Sequence, residues 1–188
     1  MINIKKIAVD AIKYKKELCI LLNSLEAADV EQGLLILKAS LLTRDFKAPI
    51  MSMTGDLLNN YSIDFINGYV HIAASLNAKQ LGPVDVEYQI NIQELRFDET
   101  GHKLYATFKE TATPLGNMGQ KLAVKAVLMN GPLLKTAAKL GKVSFAYVDG
   151  NNILIDFDKF DFIEKLPTSL SLKYVSAINS KLTFSFNI

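Results

Sequence analysis

The sequence predicts an α+β protein in which a highly curved antiparallel sheet wraps around a long apolar helix, with an additional amphipathic helix at the N-terminus. Strand–turn–strand patterns recur along the chain, and one segment, residues 117–140, is apolar on nearly every helical face. Helices separated by runs of hairpins are typical of α+β domains with an antiparallel sheet. The length of 188 residues fits one domain, 1–188.

Residues 3–26 have apolar residues at helical spacing and a crowd of lysines, which predicts an amphipathic helix. One interpretation packs one face on the core and leaves the lysines solvated. In the other, the basic face meets an anionic membrane, where each nearby lysine adds about 1 kcal/mol. The candidate membrane-contact residues are Lys5, Lys6, Lys13 and Lys16.

Residues 33–53 are ambiguous between strand and helix, because an apolar run this short carries no decisive period. We favour a strand over 33–42 and a further short strand over 50–53, followed by a short helix over 55–60 with Thr54 as its N-cap. Residues 1–53 are therefore treated as an extension of a core formed by residues 54–188.

Four hairpins are predicted after that point. Asn67-Gly68 lies between two alternating segments and is the strongest short hairpin signal, because both turn positions need a positive φ. In the second hairpin, residues 84–92 alternate apolar and polar, as expected for a strand with one dry face and one wet face. The predicted strand pairs are 61–67 with 69–76, 84–97 with 102–111, 142–148 with 152–157, and 169–177 with 181–188.

The apolar segment 117–140 reads as two helices that meet at Asn130-Gly131-Pro132, since Gly suits a helix end and Pro a helix start. A helix that is apolar nearly all round must be enclosed. Its side chains either fill a solid core or line a cavity of several hundred Å³ for an acyl chain. The candidate ligand-binding residues are Leu122, Val124, Val127, Leu128, Leu133 and Leu134.

No catalytic constellation is visible in the sequence. His71 and His102 lie in separate hairpins without liganding neighbours at metal-site spacing. Asp156, Asp158 and Asp161 are best explained as a solvated face. Nucleophile-elbow, phosphate-loop and dinucleotide motifs do not occur. We therefore expect no enzyme activity, cofactor or metal, and a formal net charge of +2 gives no reason to expect nucleic acid as a partner.

The C-terminal half combines the apolar helix with its Gly-Pro break, the turn Asp149-Gly150-Asn151, the strand 152–157, the segments 166–170 and 172–176, a polar turn and a final strand. This order of elements resembles the bacterial LmeA-like phospholipid-binding proteins of the tubular lipid-binding (TULIP) group. The resemblance covers residues 54–188. It implies a curved sheet around a long helix, with an acyl chain held in the groove between them.

The expected function is non-enzymatic binding of a lipid or other hydrophobic molecule in a groove between helix and sheet. An anionic membrane surface is a second expected partner, and a homodimer is possible. The alternative is a solid-core interaction or scaffold module, which could dimerise through residues 4–25 or a sheet edge. Because neither an export signal nor an apolar segment of about 20 residues is found, we expect a cytoplasmic location, with peripheral membrane attachment as an option.

Overall fold

A computed structural model describes residues 20, 23–78, 81–140, 143–160 and 163–187. Within them the α+β class and the antiparallel sheet are confirmed: nine strands form one sheet, and every pairing is antiparallel. The amphipathic helix predicted over 3–26 lies outside the described residues except for residues 20 and 23–26, so Lys5, Lys6, Lys13 and Lys16 lie outside them as well.

The described elements are numbered here in chain order. The strands are β1 (Leu34–Lys38), β2 (Leu58–Ile66), β3 (Tyr69–Asn77), β4 (Pro83–Asp98), β5 (Gly101–Pro114), β6 (Ala146–Asp149), β7 (Asn152–Asp156), β8 (Ser171–Ile178) and β9 (Lys181–Asn187). The α-helices are α1 (Ala27–Glu31), α2 (Lys47–Thr54), α3 (Met118–Met129) and α4 (Leu133–Leu140). A π-helical turn spans Leu41–Asp45, and short 3₁₀ turns span Gly55–Leu57, Phe157–Lys159 and Ile163–Lys165.

The long hairpin β4–β5 lies at the centre of the sheet. Along β4, Val84, Val86 and Tyr88 are buried, while Asp85 and Glu87 point to the other face, as the alternation predicts. A bulge between Ile92 and Glu94 shifts the register by one residue. Bulges of this kind bend a strand and increase its twist, so the two halves of β4 can serve different neighbours.

The sheet forks along one edge of β4. Its first half pairs with β3 over residues 83–90, and its second half meets β8 at the pair Phe97 and Leu172. The turn of the β2–β3 hairpin and the turn of the β8–β9 hairpin are joined by backbone hydrogen bonds. The Gly68 N–H donates to the Ala177 carbonyl at 2.8 Å, and the Ser180 N–H donates to the Phe65 carbonyl at 2.9 Å.

Two buried clusters result from this fork. The larger one lies between the sheet and the pair α3–α4, and the smaller one is centred on Ala39, Phe65 and Ala177 where the hairpins cross. The buried members of the larger cluster are Val84, Val86, Tyr88, Ala106, Phe108, Val124, Leu133 and Ile153. The opposite face of β4 and β5 is polar, and Glu87, Glu94, Lys109 and Thr111 are exposed there.

All four predicted hairpins are confirmed, with strand ends shifted by up to four residues. Asn67 and Gly68 have φ values of 54° and 84°, and Asn179 and Ser180 have 51° and 57°. Both turns therefore have the two positive φ angles of a type I′ turn, which matches the twist of the strands that it joins.

The predictions for residues 33–60 are right in part. The strand over 33–42 is confirmed as β1 but ends at Lys38, and β1 pairs with β9 from the other end of the chain. The prediction of a strand over 50–53 is wrong, because these residues belong to α2. Pro49 lies in the first turn of α2, where its missing N–H costs no helical hydrogen bond.

Thr54 does not act as an N-cap. Its hydroxyl donates to the Ile50 and Met51 carbonyls at 3.1 Å, which closes the end of α2 instead. The helix expected over 55–60 is only the 3₁₀ turn Gly55–Leu57, and β2 begins at Leu58.

The prediction of a long helix enclosed by the sheet is also wrong. The helical segment and its break are confirmed as α3 and α4, with Gly131 at a φ of +129° between them. However, α3 lies on one face of the sheet: Val124 is 1% exposed, whereas Leu122 is 62% exposed. Under α3, β4 and β5 alternate between buried and exposed residues, so the sheet offers one apolar face and covers one side of the helix.

We predict a large loss of stability for one truncation on α3 and a small one for another. Val124→Ala removes two methyl groups from the buried cluster and should lower the free energy of unfolding by about 2 kcal/mol. Leu122→Ala should change it by less than about 0.5 kcal/mol, because Leu122 faces solvent. Urea titration of both variants gives the comparison, and equal losses would show that α3 is oriented differently.

Candidate functional site

A cavity of about 710 Å³, open to solvent on one side, lies between α4 and the edge of the sheet formed by β5, β7 and β6. Most of its lining surface is apolar. This volume is within the range of about 300–1,000 Å³ that is usual for small-molecule sites. The apolar part of the lining comes from Ala106, Ala138, Val143, Ala146, Val148, Ile153 and Leu154.

Polar groups line the same cavity alongside this apolar surface. Lys135 and Lys139 come from successive turns of α4, and Tyr147, which is 51% exposed, comes from β6. The Lys135 ammonium lies 3.2 Å from the Asp149 carboxylate. Lys139 forms no ion pair with a described residue. An apolar cavity with lysines in its lining can accept a molecule with an apolar body and an anionic end.

The position of α4 is set by a carboxylate on the sheet. Glu110 extends from the apolar side of β5, where its neighbours on the strand are Phe108 and Ala112. Its two oxygens accept hydrogen bonds from the Leu133 N–H at 2.8 Å and the Leu134 N–H at 2.9 Å. These are first-turn amides of α4 that no helical carbonyl satisfies, and the negative charge also suits the positive end of the helix dipole.

Tyr88 completes this arrangement. It lies opposite Glu110 in the β4–β5 register and is buried. Burial raises the pKa of the Tyr88 hydroxyl well above its ordinary value, and the charge of Glu110 and a hydrogen bond to it raise the pKa further. The Glu110 carboxylate therefore accepts hydrogen bonds from two amides beside the Tyr88 side chain, and α4 is held against the sheet beside the cavity.

None of the six side chains predicted to bind a ligand lines this cavity. Val124 and Leu133 are buried in the larger cluster, and Val127 and Leu134 pack against it. Leu122 and Leu128 are exposed. The side chains of the predicted set therefore fill the core under α3 and α4 or face solvent, while the cavity lies beside α4.

A second group of polar residues was not foreseen from the sequence. His102 and Asp158 are 56 residues apart in the chain, yet His102 Nδ1 lies 2.6 Å from Asp158 Oδ1. The His102 ring also packs edge-on against Phe97, with ring centroids 4.5 Å apart. Asp158 is exposed, as expected for a solvated face, but the 3₁₀ turn after β7 also brings it to the start of β5 and to His102. Asp156 is half-buried, and Asp161 lies outside the described residues.

The hydrogen bond from His102 holds the pKa of the Asp158 carboxyl below its ordinary value, and burial acts weakly in the opposite direction. The Asp158 side chain is 43% exposed, so the pair adds little stability. No Ser, Thr or Cys hydroxyl or thiol in the described residues is hydrogen-bonded to His102. Within the same part of the chain, no three His, Cys, Asp or Glu side chains lie close enough to hold a metal ion.

Comparison of the chain with family models, with curated proteins and with solved structures gave no match. Among the described helices, none is both long enough and apolar enough to cross a bilayer. The interpretation of the site therefore depends on its own geometry.

We predict that Glu110→Ala destabilises the protein by about 1–2 kcal/mol, because two first-turn amides of α4 lose their acceptor. Glu110→Gln should cost less, since its carbonyl oxygen can still accept. Lys109→Ala, one residue away on the polar face, is the control and should stay near wild type. Urea titration of the three variants would contradict this role for Glu110 if its alanine variant matched the control.

We also predict a change in acid stability on removing Asp158. Because the folded-state pKa of Asp158 lies below the unfolded value, near 4, its contribution is complete above that pH and is lost as pH falls through the folded pKa. Asp158→Asn should therefore lose less stability between about pH 6 and about pH 3 than wild type does. Denaturant midpoints across this range measure the difference, and parallel curves would exclude the pair as a source of acid sensitivity.

Proposed function

We propose that the protein binds an amphiphilic molecule, with an acyl or similar apolar body and an anionic end, in the cavity between α4 and β5–β7–β6, and that it does so without catalysis. The observation that carries the proposal is the cavity itself: a volume of about 710 Å³, a mostly apolar lining, and Lys135 and Lys139 on one of its walls. The residues proposed to contact the ligand are Ala138, Val143, Val148, Ile153, Lys135 and Lys139.

The apolar lining supports the first half of this proposal. Each CH₂ group of a ligand that leaves water for such a cavity contributes about 0.8 kcal/mol, so a medium-length chain binds without a strong polar anchor. Small side chains at Ala138 and Ala146 leave the space open between helix and strand. The resemblance to LmeA-like lipid-binding proteins agrees with an acyl ligand, and it stays a prediction.

Lys135 and Lys139 support the proposal that one end of the ligand is anionic. Lys139 has no carboxylate partner among the described residues, and Lys135 is paired only with the Asp149 side chain, which is 96% exposed. A ligand carboxylate or phosphate could replace such a weak surface partner at little cost. We therefore favour an anionic amphiphile over a neutral one.

A solid-core interaction or scaffold module is the second candidate function. The packed cluster around Val124 and Leu133 favours it, because the space under α3 is filled by protein side chains. The edge strands β1 and β6 at the two ends of the sheet order would be the surfaces for dimerisation. Light scattering of the full chain, together with mass spectrometry of any bound lipid, separates a ligand-free dimer from a ligand-bearing monomer.

We predict that the delipidated protein binds a fluorescent long-chain fatty acid with one site per chain. Ala138→Phe should fill the cavity and weaken binding by about tenfold or more, which corresponds to at least about 1.4 kcal/mol. The matched control is Ala126→Phe, which adds the same side chain at an exposed position of α3. Equal affinities for the wild type and Ala138→Phe, or no binding by the wild type, would contradict the proposal.

The anionic preference has its own test with the same probe. Lys135→Gln combined with Lys139→Gln should weaken binding of the fatty acid but leave binding of the corresponding long-chain alcohol close to wild type. Lys109→Gln combined with Lys173→Gln removes the same charge from exposed positions on the sheet and should affect neither ligand. Parallel losses for acid and alcohol would show that the lysines act through packing and not through charge.

A further inference from the structure

The outer side of α3 is an exposed apolar stripe. Met118, Leu122 and Met129 are 71%, 62% and 81% exposed. At 100° per residue they lie on the side of the helix opposite Val127, which packs against the core. Leu115, in the loop before α3, is 55% exposed and extends the stripe at its N-terminal end. Three large apolar side chains in line on one helix face are unusual for a surface that only meets water.

The helical segment that carries this stripe has one sign of charge. Residues 111–148 contain five lysines and no Asp or Glu. Lys121 and Lys125 are exposed on α3 itself and lie beside the stripe. Both helices cover the same face of the sheet, so their outer sides face the same way. The opposite face of the sheet differs, because exposed Glu87 and Glu94 are mixed there with Lys109.

From this combination we infer that the outer face of α3 is a docking surface for an anionic lipid bilayer. Met118, Leu122 and Met129 enter the boundary between headgroups and acyl chains, and Lys121 and Lys125 meet lipid phosphates. A helix that lies in a membrane interface needs an apolar face for insertion and lysines beside it for attraction to anionic headgroups. This surface is separate from the cavity beside α4, so the inference does not depend on the proposed ligand.

A second copy of the chain fits the same surface poorly. Two α3 faces brought together would place Lys121 and Lys125 of one copy against the lysines of the other, and no acidic residue between 111 and 148 would neutralise them. Like charges across an interface oppose association. An anionic bilayer supplies the missing negative charge and the apolar phase together.

Vesicle flotation with the full-length protein tests the inference. We expect binding to vesicles of phosphatidylcholine mixed with phosphatidylglycerol, much weaker binding to phosphatidylcholine alone, and loss of binding as salt is raised. The triple variant Met118→Ser, Leu122→Ser and Met129→Ser should bind at least about tenfold more weakly. Its matched control, Val30→Ser, Val175→Ser and Ile178→Ser, removes three other exposed apolar side chains and should bind like wild type.

The charge component is tested separately on the same vesicles. Lys121→Gln combined with Lys125→Gln should weaken binding by about fivefold for each lysine removed. Lys109→Gln combined with Lys173→Gln is the control and should bind like wild type. The inference is overturned if the wild type does not float, if the triple serine variant binds as well as wild type, or if light scattering shows a dimer that this variant abolishes while vesicles recover no protein.

Discussion

The arrangement of the helical layer depends on the Glu110 carboxylate. A charged side chain on the apolar face of a central strand would be costly without partners. Here the first two amides of α4 donate to it, so the charge is satisfied and the start of the helix is fixed. Pro132 precedes these amides and has no N–H of its own to satisfy. The carboxylate therefore fixes where α4 begins on the sheet.

The fork in the sheet determines on which side of the sheet the cavity lies. The hairpins β2–β3 and β8–β9 occupy successive parts of one edge of β4, and their interlocked turns form the smaller core around Phe65 and Ala177. On the other side the sheet continues only through β5, β7 and the four-residue strand β6. The cavity lies between this narrower side and α4, where the small side chains Ala138 and Ala146 line it.

The two sides of the helical layer then have different roles. The inner side of α3 is closed by Val124 and that of α4 by Leu133, whereas the side of α4 that carries Lys135 and Lys139 borders the cavity. The outer side carries an apolar stripe among lysines. A bound amphiphile and a docked bilayer would both use this layer, and the polar, mixed-charge face of the sheet would stay in water. The two proposals use different residues, so each can fail without the other.

The sequence by itself determined the secondary structure of the hairpins and of the helical pair. Asn67-Gly68, the alternation along β4 and the Gly-Pro break at residues 131–132 are local signals, since each depends on the backbone preferences of adjacent residues. Only the tertiary structure decided which side of α3 is buried. Apolar residues such as Leu122 occur on nearly every side of this helix, so the sequence does not distinguish the buried side from the exposed one. The same holds for His102 with Asp158 and for Glu110 with α4, which lie 56 and 23 residues apart in the chain. In the sequence, Glu110 stands out only as an acidic residue at an otherwise apolar position of β5. Its hydrogen-bond donors lie on α4, and only the tertiary structure places that helix beside the strand.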